Sequence, residues 1–138
     1  MARPNPISQY DSSSLIEEKT RRKLTKIIMR LLEEWDLTTA QELKLLGLRE
    51  TSRNMLSNYR SLRNIIPYDQ DKLERVGLLL NIYKNIYDLY PENPELRKTW
   101  IKRLNKMLGD KRPLDIMIEN GLLGMADIMR FLDLQMVM

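Results

Sequence analysis

The chain has 138 residues, of which 30% are charged and 43% hydrophobic, and its formal net charge is +4. This length allows one compact unit, and no apolar run approaches the roughly 18 to 20 residues of a membrane span. The absence of histidine and cysteine excludes imidazole-based triads and metal sites built on imidazole or thiolate ligands. The acidic residues alternate with basic ones, and the glycines form no phosphate loop. We expect a protein that is not an enzyme and uses no cofactor or metal.

The opening stretch MARPNPISQY lacks the apolar core of a secretory signal, so a cytoplasmic location is expected. The positive charge is uneven. Residues 1–63 hold 12 Lys and Arg against 8 Asp and Glu, whereas residues 64–138 hold 11 of each. A basic half joined to a neutral half indicates either two partners, one of them an anionic polymer, or an ordinary surplus of charge.

A first long helix is predicted after a tail over residues 1–13 that has no apolar periodicity. Ser14 and Glu17 predict a capping box at its start. Apolar residues then recur at helical spacing and predict this helix from Leu15 to Trp35. Its outer side carries five basic residues: Arg21, Arg22, Lys23, Lys26 and Arg30.

A short helix, a glycine turn and another basic helix follow. Thr39 and Glu42 predict a second capping box, and Gly47 predicts the end of the short helix, because glycine readily adopts the left-handed conformation found there. A third helix is predicted to end near Pro67. Its apolar residues at helical spacing are Met55, Leu56, Tyr59 and Leu62.

This outline is typical of a helix-turn-helix. Arg53 stands where a well-formed motif has an apolar residue, so either the turn is lengthened and Met55 packs instead, or the motif has decayed. Several side chains suit contacts with phosphates and base edges, although a solvated helix displays the same types. The candidate DNA-binding residues are Arg49, Thr51, Ser52, Arg53, Asn54, Asn58 and Arg60.

A fourth helix is predicted from Tyr68 or Asp69 to Tyr90, with an apolar arc wide enough to contact neighbours on several sides. Asn93 as N-cap and Pro94 at the first helical position predict a fifth helix. The residues expected on its buried face are Leu96, Trp100, Ile101, Leu104 and Leu108.

The last third of the chain contains several closely spaced residues that start or end helices. Gly109 predicts a turn, Pro113 starts a helix of two turns and Gly121 ends it. These residues either make a stiff platform that loses little freedom on docking or simply set helix boundaries. A last helix is predicted from about Leu123. One face of it carries Met125, Ile128, Met129 and Leu132.

The order and spacing of the motifs in this region are Trp100, Leu108-Gly109, Pro113-Leu114-Asp115-Ile116, Gly121, and the pair Ile128 and Leu132. In these motifs the segment from Trp100 to about Leu134 resembles the Xre/MbcA/ParS toxin-binding domain of bacterial antitoxins. The stretch LTTAQELKLLGLRETSRNML is similar to the degenerate Xre-type helix-turn-helix that precedes this domain in the family. Together the two parts cover about Leu24 to Leu134.

The resemblance implies an antitoxin of a type II toxin–antitoxin pair. The usual partner in the family is a RES-domain toxin, an enzyme that consumes NAD, and the antitoxin covers its active-site entrance. Many members also bind their own operator through the Xre part. The expected partners are therefore a cognate RES-type toxin and operator DNA, with no membrane, in a homodimer or a hetero-oligomer with the toxin.

The candidate toxin-binding surface lies at the end of the chain. Six of the nine methionines occur from Met107 onward, and thioether side chains adapt to irregular binding faces. A short last helix cannot bury all the final apolar residues on one face. The candidate toxin-binding residues are Arg130, Phe131, Asp133, Leu134, Gln135, Met136, Val137 and Met138. Either the tail or the face of the last helix blocks the toxin, since many relatives continue with a charged stretch where this sequence closes on LQMVM.

The predicted fold is all-α, a compact bundle of about seven helices. Residues 1–13 are expected to form a disordered tail, residues 14–67 an Xre-like helix-turn-helix domain, and residues 68–138 the linking helix and the toxin-binding domain. The predicted function is neutralisation of a RES-type toxin together with autorepression. The alternatives are a stand-alone DNA-binding transcriptional regulator and a helical adaptor with neither activity.

Overall fold

The computed structural model describes residues 17–138, and within them every regular element is helical. The predicted all-α class is confirmed. The tail over residues 1–13 and the cap at Ser14 lie outside the described residues, as does the predicted helix start at Leu15. The α-helices are α1 (Glu18–Glu34), α2 (Thr39–Leu46), α3 (Arg53–Ser61), α4 (Gln70–Leu89), α5 (Pro94–Thr99) and α6 (Pro113–Met136).

The two helices expected after Pro113 form a single element, so the described residues contain six α-helices and not about seven. Gly121 nevertheless interrupts α6, with φ 61° and ψ −134°. The chain direction changes there without a connecting loop, since only glycine tolerates these angles easily. We refer to the parts on either side as the first segment (113–120) and the second segment (122–136) of α6.

Helix α4 is the central element. Val76, Leu79 and Ile82 are fully buried on it. It packs against α1, α2 and α6, and its contact with α6 is the most extensive between any two helices of the described chain. The contact on several sides that the wide apolar arc predicted is therefore confirmed. Within residues 17–138 no helix combines the length and the apolar character needed to cross a membrane.

A polar contact adds to the packing of α1 against α4. The Tyr83 hydroxyl donates a hydrogen bond to a Glu34 carboxylate oxygen at 2.5 Å. Burial, and then this bond, raise the pKa of Tyr83 to about 12, so its hydroxyl stays protonated at neutral pH. The rings of Tyr83 and the fully buried Trp35 lie 6.2 Å apart, which places this contact directly over the core.

The caps of α2 are partly those expected. The capping box uses Thr38 and Gln41, one residue before the predicted pair, because the Thr38 hydroxyl accepts from the Gln41 amide at 3.2 Å and the Gln41 side chain accepts from the Thr38 amide at 2.9 Å. The prediction of Thr39 and Glu42 was wrong, and Glu42 is instead buried. The predicted left-handed end at Gly47 is confirmed, with φ 70°.

Helix α3 ends earlier than predicted. Its last helical residue is Ser61, and Leu62 adopts a left-handed φ of 62°. The chain from there to Pro67 runs along α1, where the amide of Ile66 donates to the buried Thr25 hydroxyl at 2.8 Å. These bonds to α1 replace those that a longer helix would make within itself.

The predicted continuation of the fifth helix to Leu108 was wrong. The N-cap Asn93 and the N-terminal Pro94 are confirmed, but α5 stops at Thr99 and gives way to two single 3₁₀ turns, Trp100–Lys102 and Lys106–Leu108. Asn105 lies between them, and its side chain accepts from the Met107 amide at 2.9 Å. Such local bonds compete with the helix, which leaves Leu104 62% exposed although it was expected in the core.

The two segments of α6 touch at Gly124. This residue is buried, and a Cβ added to it would overlap the backbone oxygen of Ile116 in the first segment. Backbone cannot yield as a flexible side chain can. Glycine at this position therefore lets the two segments pack against each other directly after the break at Gly121.

Replacing Gly124 should test this contact. We expect Gly124→Ala to lower the free energy of unfolding by about 3 kcal/mol, the upper end of overpacking costs, because a backbone atom has to move. Chemical denaturation measures the change. Gly109→Ala is the control, since its Cβ would meet nothing within 4 Å and only the φ of 73° opposes it, a cost of about 1 kcal/mol. Equal losses in the two variants would show that the Ile116 contact does not constrain the fold.

Candidate functional site

The first candidate surface is the turn between α2 and α3, which spans residues 47–52. Leu56 and Tyr59 of α3 are buried, whereas Met55 is only partly covered. The exposed Arg53 opens α3. The apolar side of α3 thus begins after Arg53, which fits a lengthened turn, but Leu56 and Tyr59 do more of the packing than Met55.

The seven candidate DNA-binding residues lie together on the turn and on α3. Five are exposed: Arg49, Thr51, Arg53, Asn54 and Arg60. The other two, Ser52 and Asn58, are half-buried. Within residues 17–138 the guanidinium groups of Arg49 and Arg53 have no carboxylate partner, so both are available to an external anion.

Arg60 differs from the other candidates because it forms an ion pair with a buried carboxylate of the same molecule. Its guanidinium donates to Glu42 at 2.5 Å, and the Glu42 side chain is only 5% exposed. A buried carboxylate requires such a partner, since an isolated buried charge is strongly unfavourable. The Arg60 side chain remains 47% exposed, so part of its donor set still faces solvent.

Helix α4 fixes the turn through two basic residues. Lys72 donates to the Gly47 carbonyl at 3.0 Å, and Arg75 donates to the carbonyls of Lys44 and Leu45 at 3.2 and 3.3 Å. The last carbonyls of α2 have no partners within their own helix, and cations stabilise that end. The sequence offered no signal for these bonds, because they join positions 25 to 31 residues apart.

Asp71 completes this cluster by holding Arg75. Its carboxylate accepts from the Arg75 Nε at 3.1 Å and from Lys72 at 3.3 Å. Burial alone would raise the pKa of Asp71, but the hydrogen bonds and charges of these two residues outweigh it and lower that pKa. Arg75 also approaches the break in α6, since a Cβ on Gly121 would lie 3.9 Å from its Nη2 atom. One side chain thus lies between the α2–α3 turn and α6.

The role of Arg75 can be measured directly. We expect Arg75→Gln to lower the free energy of unfolding by about 2 kcal/mol, because hydrogen bonds to a largely buried charged group are lost, and to speed amide hydrogen exchange in the last turn of α2. Arg53→Gln is the matched control, and as an exposed change it should shift stability by less than about 0.5 kcal/mol. Unchanged exchange in α2 would show that the turn holds its shape without Arg75.

The second candidate surface is the outward side of the second segment of α6. Its inward side carries Met125, Ile128 and Leu132, all fully buried as predicted. On the opposite side, residues spaced alternately four and three apart share one face of the helix. We call this face the α6 outer stripe; its members are Leu123, Asp127, Arg130, Leu134 and Val137, all exposed.

The eight candidate toxin-binding residues divide into two groups. Those exposed on the stripe or the final turn are Arg130, Leu134, Met136, Val137 and Met138. The others, Phe131, Asp133 and Gln135, are half-buried. Phe131 stacks on the buried Trp100 at a centroid distance of 6.2 Å, and the Asp133 carboxylate accepts from the fully buried Asn85 at 2.7 Å. Phe131 and Asp133 therefore anchor α6 to the rest of the molecule.

Two residues of this surface, Leu123 and Asp127, were missed by the sequence reasoning. Leu123 is 77% exposed, more than Leu134 at 61%, and both lie on the α6 outer stripe. The alternating spacing from Leu123 to Val137 was readable from the sequence, but the outer residues were considered only from Arg130 onward. Asp127 and Arg130 occupy the middle of the stripe and pair at 2.5 Å.

Within the described part of the chain, no group of three or more acidic residues is placed to hold a metal ion. The sequence matches no family model and no curated protein. The function therefore has to be inferred from the two surfaces themselves.

Proposed function

We propose that the chain is an antitoxin of a type II toxin–antitoxin pair, which neutralises a RES-type, NAD-consuming toxin by binding it directly and covering its active site. We further propose that it represses its own operon through the α2–α3 turn. The observation that carries the first proposal is the α6 outer stripe, an exposed apolar face on a helix whose other side is buried.

The composition of the stripe suits a protein partner. Leu123, Leu134 and Val137 are 77%, 61% and 81% exposed. Exposed leucines at helical spacing are typical anchors for a helix that lies in a groove of another protein. The Asp127–Arg130 pair between the leucines supplies polar groups of the kind that fix register at an interface.

The stripe is also rigidly supported. The stacking of Phe131 on Trp100 and the Asn85–Asp133 hydrogen bond hold the second segment of α6 from the inside. The contact at Gly124 fixes it against the first segment. Binding through a helix that is already ordered loses little conformational entropy, which favours high affinity.

Co-expression tests the proposal. The partner is the RES-type toxin encoded by a gene that abuts or overlaps that of this chain, and the wild-type chain should restore growth when that toxin is expressed. Leu123→Asp and Leu134→Asp should each weaken the complex about tenfold or more, because a charge replaces an apolar contact worth about 1.5 to 3 kcal/mol, and the double variant should abolish rescue.

Ile27→Asp is the matched control, because Ile27 is 50% exposed but lies on α1. It should leave rescue and affinity unchanged. Thermal unfolding of all variants shows whether they fold. Lack of rescue by the wild-type chain would contradict the antitoxin proposal, and normal rescue by the folded double variant would move the contact away from α6.

The second candidate function is that of a stand-alone DNA-binding transcriptional regulator. Arg49 and Arg53 beside the α2–α3 turn, whose guanidinium groups have no carboxylate partner among residues 17–138, favour it. It differs from the first proposal in having no toxin partner. A gene neighbourhood without a RES-like toxin, together with DNA binding, would favour this function over the antitoxin.

DNA binding has its own test. We expect Arg53→Ala to weaken binding to a duplex from the region upstream of the gene by about tenfold, since a contact to a base edge is worth about 1 to 3 kcal/mol. A gel shift measures this against a scrambled duplex, and Lys98→Ala on α5 serves as the control. If the Arg53→Ala variant binds the upstream and the scrambled duplex equally well, Arg53 contacts the DNA directly. If its affinity and its preference for the upstream duplex equal those of the wild type, the contact lies elsewhere.

A further inference from the structure

A groove with a surplus of positive charge lies outside the α2–α3 turn. It runs between α1 and the C-terminal half of α3, and we call it the α1–α3 groove. Its lining residues are Lys26, Met29, Arg30, Glu33, Tyr59 and Arg60. Three of these are cations and one is a carboxylate. Of these residues only Arg60 was among the candidate DNA-binding set.

The cations of α1 are aligned along the groove. Arg22, Lys26 and Arg30 follow one another every four residues and therefore share one face of the helix. Arg22 donates to the Leu62 carbonyl at 3.2 Å, which fixes this face beside the end of α3 and next to Arg63. Successive cations are about 6 Å apart along the helix axis.

Of the three cations on this face, Arg22 pairs with Glu18 at 3.2 Å, whereas the charges of Lys26 and Arg30 remain available. Within residues 17–138 neither Lys26 nor Arg30 has a carboxylate within ion-pair distance. Arg60 does pair with Glu42, yet a guanidinium has five N–H donors, and its side chain is 47% exposed. The buried Glu42 therefore orients Arg60 without covering it.

These observations identify the kind of ligand. The cations of the groove, Lys26, Arg30 and Arg60, are exposed to solvent, so the groove suits an extended polyanion better than a small enclosed anion. Neighbouring phosphates on one strand of duplex DNA rise about 3.4 Å along the axis and also turn around it, so their direct separation is comparable to the spacing of about 6 Å between successive cations. The groove also borders α3, which the proposed function places against DNA. We propose that the α1–α3 groove binds the phosphate backbone of duplex DNA, with Lys26 and Arg30 as the phosphate contacts.

This inference rests on the DNA-binding part of the proposed function and assigns different DNA contacts to the two ends of α3. The N-terminal end of the helix, with Arg53, contacts base edges and selects sequence. The groove beside its C-terminal end contacts backbone and supplies affinity that is independent of sequence. Phosphate contacts position a protein on DNA, whereas base contacts specify the site.

The salt dependence of DNA binding tests whether the groove supplies the phosphate contacts. For the Lys26→Gln/Arg30→Gln double variant, the slope of log affinity against log salt concentration should become shallower by about 1.8, because each lost phosphate contact removes about 0.9. The probes are the upstream duplex and a scrambled duplex of equal length. The ratio of affinities for the two duplexes should stay that of the wild type. Lys98→Gln/Lys111→Gln is the matched control, with two exposed lysines from the other half of the chain, and its slope should not change.

Each outcome has a distinct meaning. An unchanged slope in the folded double variant, with normal duplex binding by the wild type, overturns the groove while leaving DNA binding in place. No duplex binding by the wild type overturns both the groove and autorepression, whereas toxin rescue is measured separately and is unaffected. If the wild-type protein binds polyglutamate but not duplex DNA, and the double variant no longer binds polyglutamate, DNA is not the ligand of the groove.

Discussion

The burial of α4 against α1, α2 and α6 is the constraint on which the rest of the structure depends. The residues of α4 that face these helices include Val76, Leu79 and Ile82, which are fully buried. Apolar burial of this kind supplies most of the favourable free energy of folding. Helices α2 and α6 also touch each other beside α4, so both candidate surfaces are built on one shared core.

Polar residues of α4 then position the two surfaces. Toward one end, Lys72 and Arg75 bind the carbonyls at the end of α2 and so fix the turn that leads into α3. Toward the other end, the buried Asn85 holds Asp133 of α6. Buried polar groups need partners, and here the partners belong to the helices that present the proposed DNA-binding and toxin-binding faces. The same helix that forms the core thus orients both faces.

Local signals in the sequence were enough for most of the fold. Asn93 with Pro94, and Gly47, act through their own backbone, and the structure confirms the boundaries they predicted. Gly121 breaks the regular geometry where a boundary was predicted, but the two parts form one helix. The errors arose where a contact joins distant positions or where two local signals compete. Asn105 interrupts a helix that the apolar spacing favoured. Three members of the α6 outer stripe, Arg130, Leu134 and Val137, were predicted, but the exposure of Leu123 depends on how α6 packs. The roles of Arg75 and of the α1–α3 groove depend on tertiary packing alone.

The contact of α2 with both α4 and α6 determines what happens to the fold when the chain is cleaved by a protease. The buried Leu43, Leu45 and Leu46 of α2 would face water if the chain were cut between α3 and α4 and the two pieces separated. A protease acting there would release no half able to keep its shape, because each piece would expose the apolar surface that the other covers. A single cleavage followed by separation of the pieces would therefore leave both pieces open to further cleavage.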